Sequence, residues 1–166
     1  HPLLRAANDD VHEFDETLHD LARRMFTLMY ASRGVGLAAP QVGVNKRLMV
    51  FNPEGDPKRW MSEVVLCNPT IIESSSRQAL EEEGCLSFPG FVADVRRPSV
   101  IKVEYQNAKG KKQKKKLSGW EARIFQHEYD HLDGVLYVDR LDDAWRKRVQ
   151  PKLDDLIRAH GPGGGI

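Results

Sequence analysis

Cysteine, aromatic residues and long apolar runs are all scarce in this chain of 166 residues. Only Cys67 and Cys85 could pair, so the pattern is not that of a disulfide-stabilised secreted scaffold, and we expect a reducing compartment. No run of about 18 apolar residues occurs, so the sequence predicts no transmembrane helix. A formal net charge of +1 argues against a protein that binds nucleic acid through its overall charge.

The remaining composition is that of an ordinary globular domain, with 40% hydrophobic and 30% charged residues. The length fits one domain with a sizeable core, which we place at residues 1–160, and the glycine-rich residues 161–166 are predicted to be a flexible tail. Because the chain begins with His1 and shows no secretory signal, we expect a processed or shortened protein from which any targeting segment has been removed.

Apolar residues at helical spacing predict one helix near each end of the chain. Residues 15–31 begin with Asp15, a good capping residue, and we expect their apolar stripe to face the core. That stripe consists of Leu18, Leu21, Ala22, Met25, Leu28 and Met29. Residues 145–157 also repeat apolar side chains at helical spacing and predict a C-terminal helix that Pro151 kinks or restarts.

Short β-type runs occupy much of the remaining sequence. They cover residues 47–51, 63–67, 70–73, 100–105, 112–117 and 136–138. Residues 107–110 predict a hairpin turn, and residues 109–116 contain six lysines. We interpret these lysines as protection of an exposed sheet edge, with binding to nucleic acid as the alternative. Residues 34–43 are too rich in glycine for a good helix, so they form either a structural turn or a close approach to a ligand.

The most informative segment is an H-E-x-x-H pattern at residues 127–131. It lies in a predicted helix over residues 119–132 that Gly134 ends. Residues four apart lie on one helix face, so both imidazoles can reach one metal ion, and Glu128 lies beside them to move protons. Two surface histidines on an amphipathic helix are the alternative interpretation.

A catalytic metal ion also needs a third protein ligand and an open position for water. No downstream segment matches the common extensions of this pattern, whereas Cys85 follows a glycine upstream and could present a thiolate. Two imidazoles and one thiolate suit Zn²⁺ or Fe²⁺. The alternative for Cys85 is a small buried hydrophobic residue, a role that Cys67 fits better. Because Trp120 and Ile124 share the histidine face of the helix, we expect the site to lie against the core.

Three segments together resemble the three motifs of the peptide deformylases, in order and at family-like spacing. They are Gly-Val-Gly-Leu-Ala-Ala-Pro-Gln at residues 34–41, Glu-Gly-Cys-Leu-Ser at residues 83–87 and Gln-His-Glu-Tyr-Asp-His-Leu-Asp-Gly at residues 126–134. The similarity extends from about residue 2 to about residue 140 and is particularly marked for type 1 members from bacteria and plant-like organelles.

This resemblance implies an α+β fold, in which antiparallel sheets enclose the H-E-x-x-H helix, with an N-terminal and a C-terminal helix. It also implies a metal-dependent amide hydrolase that removes the formyl group from the N-terminal formyl-methionine of new proteins. Formate would be released by attack of a metal-bound water. The implied ion is a single divalent metal, natively Fe²⁺, with Zn²⁺ or Ni²⁺ as replacements in preparations.

The resemblance further assigns roles to single residues. By motif match, the implied metal ligands are Cys85, His127 and His131. Glu128 would be the acid and base, and Gln41 with the backbone N–H of Leu86 would bind the developing oxyanion. Gly36 would offer its backbone to the substrate peptide. Candidates for the methionine pocket are Val35, Val42, Ile124, Phe125 and the aliphatic stem of Arg123.

The implied partners are N-formyl-methionyl nascent peptides, with the ribosome as a further candidate partner, and neither nucleic-acid specificity nor a membrane is expected. We expect an organelle, plastid or mitochondrion, with the bacterial cytoplasm as the alternative. Glu83 either pairs with Arg97 behind the Cys85 turn or both are solvated, and Asp130 either supports the histidines or is a surface charge. Two other functions stay open: a zinc peptidase with a downstream third ligand, and a non-catalytic domain with a structural ion and a nucleic-acid-binding hairpin.

Overall fold

The computed structural model describes the backbone of residues 2–85, 88–135 and 137–160, and the side chains among them except those of residues 3, 85, 88–91, 137–138, 149, 152–153 and 156–160. The helices are α1 (Glu16–Ala31), α2 (Gly119–Leu132) and α3 (Asp143–His160). The strands are β1 (Gly36–Ala38), β2 (Leu48–Phe51), β3 (Val64–Ser74), β4 (Gln78–Cys85), β5 (Phe88–Pro98), β6 (Val100–Gln106) and β7 (Lys112–Ser118). Short 3₁₀ helices cover Pro2–Leu4, Ala39–Val42, Pro57–Ser62 and Tyr137–Arg140.

The strands form two antiparallel sheets. The larger has the order β1-β2-β3-β6-β7, and the smaller pairs β4 with β5. The continuous apolar run of β2 is buried on both faces of the larger sheet. Met49 and Phe51 pack with α2 on one face, and Leu48 and Val50 pack with α1 on the other. The predicted α+β class, with antiparallel sheets around the H-E-x-x-H helix and a helix towards each terminus, is confirmed.

The N-terminal helix forms where its sequence pattern predicts. The side chain of Asp15 accepts a hydrogen bond from the backbone N–H of Leu18 at 3.1 Å and so caps the first turn. One residue of the predicted stripe is misplaced, because Leu28 is 49% exposed, while Phe26 is buried in the core cluster between α1 and the sheet. Near the C-terminal end of α1, the buried face of the helix is therefore rotated slightly from the predicted apolar stripe.

Several predicted strand boundaries are wrong. Residues 64–67 and 70–73 belong to one strand, β3, whereas Glu63 lies before it. The side chain of Asn68 bonds to Val11 and Gln106 and so holds its backbone at φ +52° within the strand. The predicted strand at residues 136–138 is also wrong where it is described, since Tyr137–Arg140 is a 3₁₀ helix. The extent of strands β4 and β5 was not predicted, because residues 78–98 are rich in charge and are held by long-range ion pairs.

The lysine-rich hairpin of β6 and β7 is confirmed. Strand β7 is an edge strand of the larger sheet, and all six lysines of residues 109–116 are exposed. Lys114 pairs with Glu104 of β6 at 3.1 Å, and Leu117 is buried against the core. This arrangement matches the predicted protection of a sheet edge. Among the described residues, no helix combines the length and the apolarity that crossing a bilayer requires.

The domain prediction has a more limited outcome. The glycine-rich tail predicted at residues 161–166 lies outside the described residues. The C-terminal helix is confirmed as α3, which continues through Pro151. The prediction of one domain over residues 1–160 stays a prediction.

Candidate active site

Helix α2 carries the H-E-x-x-H residues through the interior of the protein. It starts at Gly119 after β7 and ends at Leu132, where Gly134 adopts φ +73° and Val135 donates its N–H to the carbonyl of Asp130 at 2.8 Å. His127, Glu128 and His131 are all buried. The two imidazole rings lie one turn apart, with their centroids at 5.2 Å and their planes at 67°. The prediction of a site against the core is confirmed, although Trp120 itself is half exposed.

Glu83 of β4 orients His127. Its Oε1 lies 2.8 Å from Nδ1 of His127. Burial alone would raise the pKa of Glu83, but hydrogen bonds from His127 and Arg97, together with the charge of Arg97, lower it to about 2. An ionised carboxylate only accepts hydrogen bonds, so Nδ1 of His127 carries a proton, which leaves Nε2 as the ring nitrogen that can bind a metal ion. A carboxylate behind a histidine is the usual support of a metal ligand.

Two arginines neutralise Glu83 inside the protein. Arg97 donates from Nε and Nη2 to the two oxygens of Glu83 at 2.6 and 2.9 Å, which confirms the pair that the sequence suggested. Arg123 of α2 also donates to Glu83, and to the backbone carbonyls of Val95 and Ala79 at 2.9 Å each. The sequence did not reveal this role of Arg123. These acceptors hold the guanidinium group of Arg123. Contact of its aliphatic stem with the substrate stays a prediction.

Asp130 is a buried partner of arginines, and its interpretation as an ordinary surface charge is wrong. Its Oδ2 accepts from Nη1 of Arg97 at 2.8 Å, and Arg140 donates to both of its oxygens at 2.8 and 3.0 Å. Asp130 therefore joins the same group of charges as Glu83. In the sequence, only the position of Asp130 within the H-E-x-x-H pattern pointed to such a role.

Glu128 lies in a different environment from Glu83. Burial raises its pKa to about 7, an effect that His127 partly offsets and Glu83 reinforces. Within the described part of the chain, its Oε2 is buried and has no hydrogen-bond partner. A buried carboxyl oxygen without a partner indicates a group whose partner belongs to the reaction.

Strand β1 passes directly over Glu128. A Cβ atom added to Gly36 would lie 2.9 Å from Cγ of Glu128, 3.0 Å from its Oε1 and 3.0 Å from Cγ2 of Ile124. Only glycine permits this close approach of the backbone to Glu128, so residues 34–43 do not form merely a structural turn. Gly36 and Ile124 therefore meet beside Glu128, and Val35 packs against the core cluster that contains Ile124.

Gln41 follows β1 in the 3₁₀ helix Ala39–Val42, which packs against α2. Its Oε1 accepts the backbone N–H of Ala38 at 2.9 Å, which fixes the orientation of the amide group. With the carbonyl oxygen engaged in this way, the NH₂ end of the side chain is the donor group. The predicted role of Gln41 as a donor to an oxyanion is compatible with this orientation and stays a prediction.

Cys85 ends β4, two residues beyond the Glu83 carboxylate that holds His127, at a shift in the pairing with β5. Its side chain, and Leu86 entirely, lie outside the described residues. Cys67 is different: it is buried among the residues that pack against α1, and burial raises its pKa to about 12. Its predicted role as a small buried residue is confirmed.

Comparison with known proteins identifies the family. The model of the polypeptide deformylase family matches residues 1–147. The chain belongs to this family. A chloroplastic peptide deformylase 1B from Oryza sativa is 47% identical over 165 residues, which cover 99% of this chain and 61% of that protein. The peptide deformylase of Thermotoga maritima is 43% identical over 157 residues, 95% of this chain and 92% of that protein.

Solved deformylase structures agree with the fold. A Plasmodium falciparum peptide deformylase matches with a TM-score of 0.93 at 43% identity, covering 96% of this chain and 92% of that one. Arabidopsis thaliana peptide deformylase 1B in complex with an inhibitor has a TM-score of 0.92 at 46% identity, with coverages of 95% and 87%. The resemblance drawn from the three motifs is confirmed. The chain spans about three fifths of the length of the plant deformylases from Oryza and Arabidopsis that it matches.

Deformylases are metal-dependent, and the described residues fit a metal ion. Glu83 holds Nδ1 of His127, which leaves Nε2 as its ligating nitrogen, and burial lowers the pKa of His131 to about 3, assisted by the charges of His127 and Arg97, so the His131 ring is neutral as a metal ligand must be. The described side chains include no group of three or more His, Cys, Asp or Glu that could hold a metal, and the side chain of Cys85 is not among them. Cys85, His127 and His131 as the ligand set therefore stay a prediction.

The contact between Gly36 and Glu128 leads to a prediction. Gly36→Ala is expected to lower deformylation about 10- to 100-fold, because its methyl group displaces the Glu128 side chain. Rates with a formylated peptide measure the effect. Gly119→Ala is the matched control: its φ is +56°, and no described atom lies within 4 Å of the new methyl group, so it adds backbone strain alone. Equal activity of the Gly36→Ala and parent proteins would contradict the geometry.

The buried groups also predict how the stability of the metal-free protein depends on pH. The lowered pKa of His131 makes unfolding more favourable as pH falls from 6.5 towards 3, because only the unfolded chain binds that proton. The raised pKa of Glu128 acts oppositely between 4.5 and 7, since there the folded chain binds the extra proton. Below 4.5 the lowered pKa of Glu83 adds to the loss caused by His131.

We therefore expect the free energy of unfolding to change little between pH 4.5 and 6.5 and to fall steeply below 4.5. Glu128→Gln removes the opposing contribution, so its stability is expected to rise with pH across the 4.5–6.5 window. Urea unfolding at a series of pH values measures both. Parallel curves for the two proteins in that window would contradict the assignment.

Proposed function

We propose that this protein removes the N-formyl group from the N-terminal formyl-methionine of newly made proteins and releases formate. The observation that carries the proposal is the Glu128 carboxyl: it is buried, its Oε2 has no partner among the described residues, and it lies beside Gly36 and on the helix of the two histidines. Membership of the deformylase family supports the same reaction. In this proposal the enzyme is a metal-dependent amide hydrolase.

Cys85, His127 and His131 would hold one divalent ion, Fe²⁺ natively, with Zn²⁺ or Ni²⁺ as replacements. When bound, the ion supplies Lewis acidity, which lowers the pKa of water and polarises the formyl oxygen. The buried group of Glu83, Arg97 and Arg123 keeps the His127 ring in one orientation and one tautomer.

Glu128 would move the proton. A carboxyl group with a pKa raised by burial towards neutrality is a better general base and acid at pH 7 than a solvated one. It would accept a proton from the attacking water and deliver it to the nitrogen of the departing amine. Gln41 and the N–H of Leu86 would donate hydrogen bonds to the oxygen that becomes negative in the transition state, at about 3 kcal/mol for each donor.

The position of β1 supports the proposed binding of the peptide. β1 pairs with β2 alone among the described strands, so its other edge offers the backbone groups of Gly36 to an extended substrate. Val35, Ile124 and the stem of Arg123 would line the methionine pocket. The formyl group is the smallest acyl group, and the close contact of Gly36 with Glu128 leaves little room for a larger one.

Formate release tests the proposal directly. Protein prepared without oxygen is assayed with formyl-Met-Ala-Ser and, in parallel, with the acetylated peptide, and its metal content is measured. Formate from the first peptide and no product from the second supports deformylation. Cleavage of an unformylated peptide would favour a zinc peptidase, and a bound metal without any turnover would favour a structural ion.

The proposed location is an organelle, plastid or mitochondrion, with the bacterial cytoplasm as the alternative. Relatives of both kinds match, a chloroplastic or mitochondrial one in Arabidopsis and a bacterial one in Thermotoga. The substrates would be nascent chains, so the ribosome is the proposed source of substrate. Fractionation of the source cells with an antibody to this chain distinguishes the two locations.

A further inference from the structure

Arg140 lies outside the three motifs and outside α2, at the end of the 3₁₀ helix Tyr137–Arg140. Its Nε and Nη2 donate to Oδ2 and Oδ1 of Asp130 at 3.0 and 2.8 Å. This is a two-point ion pair between a side chain that is half exposed and one that is 7% exposed. Such a pair fixes direction as well as distance, which lysine could not do.

The pair of Arg140 and Asp130 continues into the site through Arg97. Nη1 of Arg97 donates to the same Oδ2 of Asp130 at 2.8 Å, while its Nε and Nη2 hold Glu83. Glu83 in turn accepts the Nδ1 proton of His127 at 2.8 Å. Two forked ion pairs therefore stand in series, and the first begins at the surface while the second ends on an imidazole of the H-E-x-x-H pattern.

We infer that Arg140 is a positioning residue for His127, acting through Asp130, Arg97 and Glu83. The inference rests on the proposed function only in treating His127 as a metal ligand. Without Arg140, Oδ1 of Asp130 loses the hydrogen bond from Nη2, and Arg97 becomes the main partner of the buried Asp130 carboxylate. Arg97 is then drawn towards Asp130, which loosens its two-point hold on Glu83 and widens the range of ring orientations of His127.

A simpler explanation is that Arg140 only fastens the turn in which it lies, and the neighbouring residue provides the control. Asp139 accepts two hydrogen bonds from Arg5, both 3.1 Å long, and so fastens the same turn to the N-terminal segment. The other hydrogen bond of the Arg5 guanidinium goes to the carbonyl of Gly134, at 3.4 Å. Arg5→Gln therefore removes a fastening of the turn without touching the ion pairs that lead to His127.

The test measures Co²⁺ binding by the whole metal-free chain, with a chelator as competitor, for Arg140→Gln, Arg140→Lys, Arg5→Gln and the parent. We expect about 10-fold weaker binding for Arg140→Gln, the lower end of what supporting residues of metal ligands contribute. Arg140→Lys is expected to restore part of this loss, since it keeps the charge without the fork. Arg5→Gln should match the parent within about twofold. The visible absorption of bound Co²⁺, which reports ligand geometry, should shift only in the two Arg140 variants.

Each outcome has a defined meaning. Equal affinities and spectra for Arg140→Gln and the parent, or equal losses in Arg140→Gln and Arg5→Gln, would overturn the inference. Circular dichroism of every variant shows whether it is folded. We expect the Arg140 variants to fold, because the side chain of Arg140 is half exposed and water can take its place at the surface. A parent protein that binds no Co²⁺ would overturn the proposed function, and this inference with it, whereas failure of formate release with normal Co²⁺ binding would leave the positioning role standing.

Discussion

Glu128→Gln is expected to lower formate release about a thousandfold while the metal content stays that of the parent. Glutamine has nearly the same shape but cannot accept a proton from water and return it to an amine, and such proton transfer contributes typically about 10²–10⁴-fold to a rate. Glu128 is buried and its Oε2 has no partner among the described residues, so none of those residues is in place to take over its proton transfer. Steady-state rates and metal analysis on the same preparation give both quantities.

Glu121→Gln is the matched control for this variant. Glu121 lies in the first turn of the same helix, α2, and is exposed. The same chemical change there is expected to leave the rate within about twofold of the parent, because a single exposed charge contributes little. A Glu128→Gln protein with more than a tenth of the parent rate would remove Glu128 from the mechanism, and one without metal would make it a ligand.

Glu83→Gln is expected to destabilise the protein by about 3–5 kcal/mol, the usual effect of removing one partner of a buried ion pair. Glu83 is 6% exposed and is the shared acceptor for Arg97, Arg123 and His127. The amide that replaces it carries no charge, so Arg97 keeps only Asp130, and Arg123 only the more exposed Glu81, as a carboxylate partner among the described residues. The midpoint of urea unfolding, measured at pH 7 in the absence of metal, gives the change in stability.

The same variant is expected to bind metal about 10- to 100-fold more weakly, because the Nδ1 proton of His127 loses its carboxylate partner. Glu82→Gln is the control, since Glu82 is the preceding residue of β4 but is exposed. It should change neither stability nor metal affinity beyond about 0.5 kcal/mol. An unchanged unfolding midpoint in Glu83→Gln would show that the buried ion pairs contribute nothing net to the fold.

The sequence was sufficient wherever the deciding interaction is local. Histidines four apart on a helix face each other by the geometry of a single turn, and the rings of His127 and His131 are indeed neighbours. The cap of α1 at Asp15 and the hairpin of β6 and β7 are equally local, and both formed as predicted. The resemblance to deformylases also depended on three short segments, each recognisable without the fold.

The sequence was insufficient where partners are distant in the chain. In β4 the residues from Gln78 to Cys85 carry three consecutive glutamates, which argue against a strand, yet pairing with β5 and burial of Glu83 beside arginines make it one. The predicted strand at residues 136–138 failed for the same reason: Asp139 and Arg140 are drawn to Arg5 and Asp130, and these long-range ion pairs hold the chain as a 3₁₀ helix.

By itself, then, the sequence determined the family and, through the resemblance, the class of fold, because the motifs that identify the family are short segments. The tertiary structure alone decided how the charged residues are used. Glu83 is 14 residues from Arg97, 40 from Arg123 and 44 from His127 along the chain, and no local pattern relates them. The pKa values of the two buried glutamates differ for the same reason: hydrogen bonds from His127 and Arg97 lower the pKa of Glu83 to about 2, while burial raises that of Glu128 to about 7.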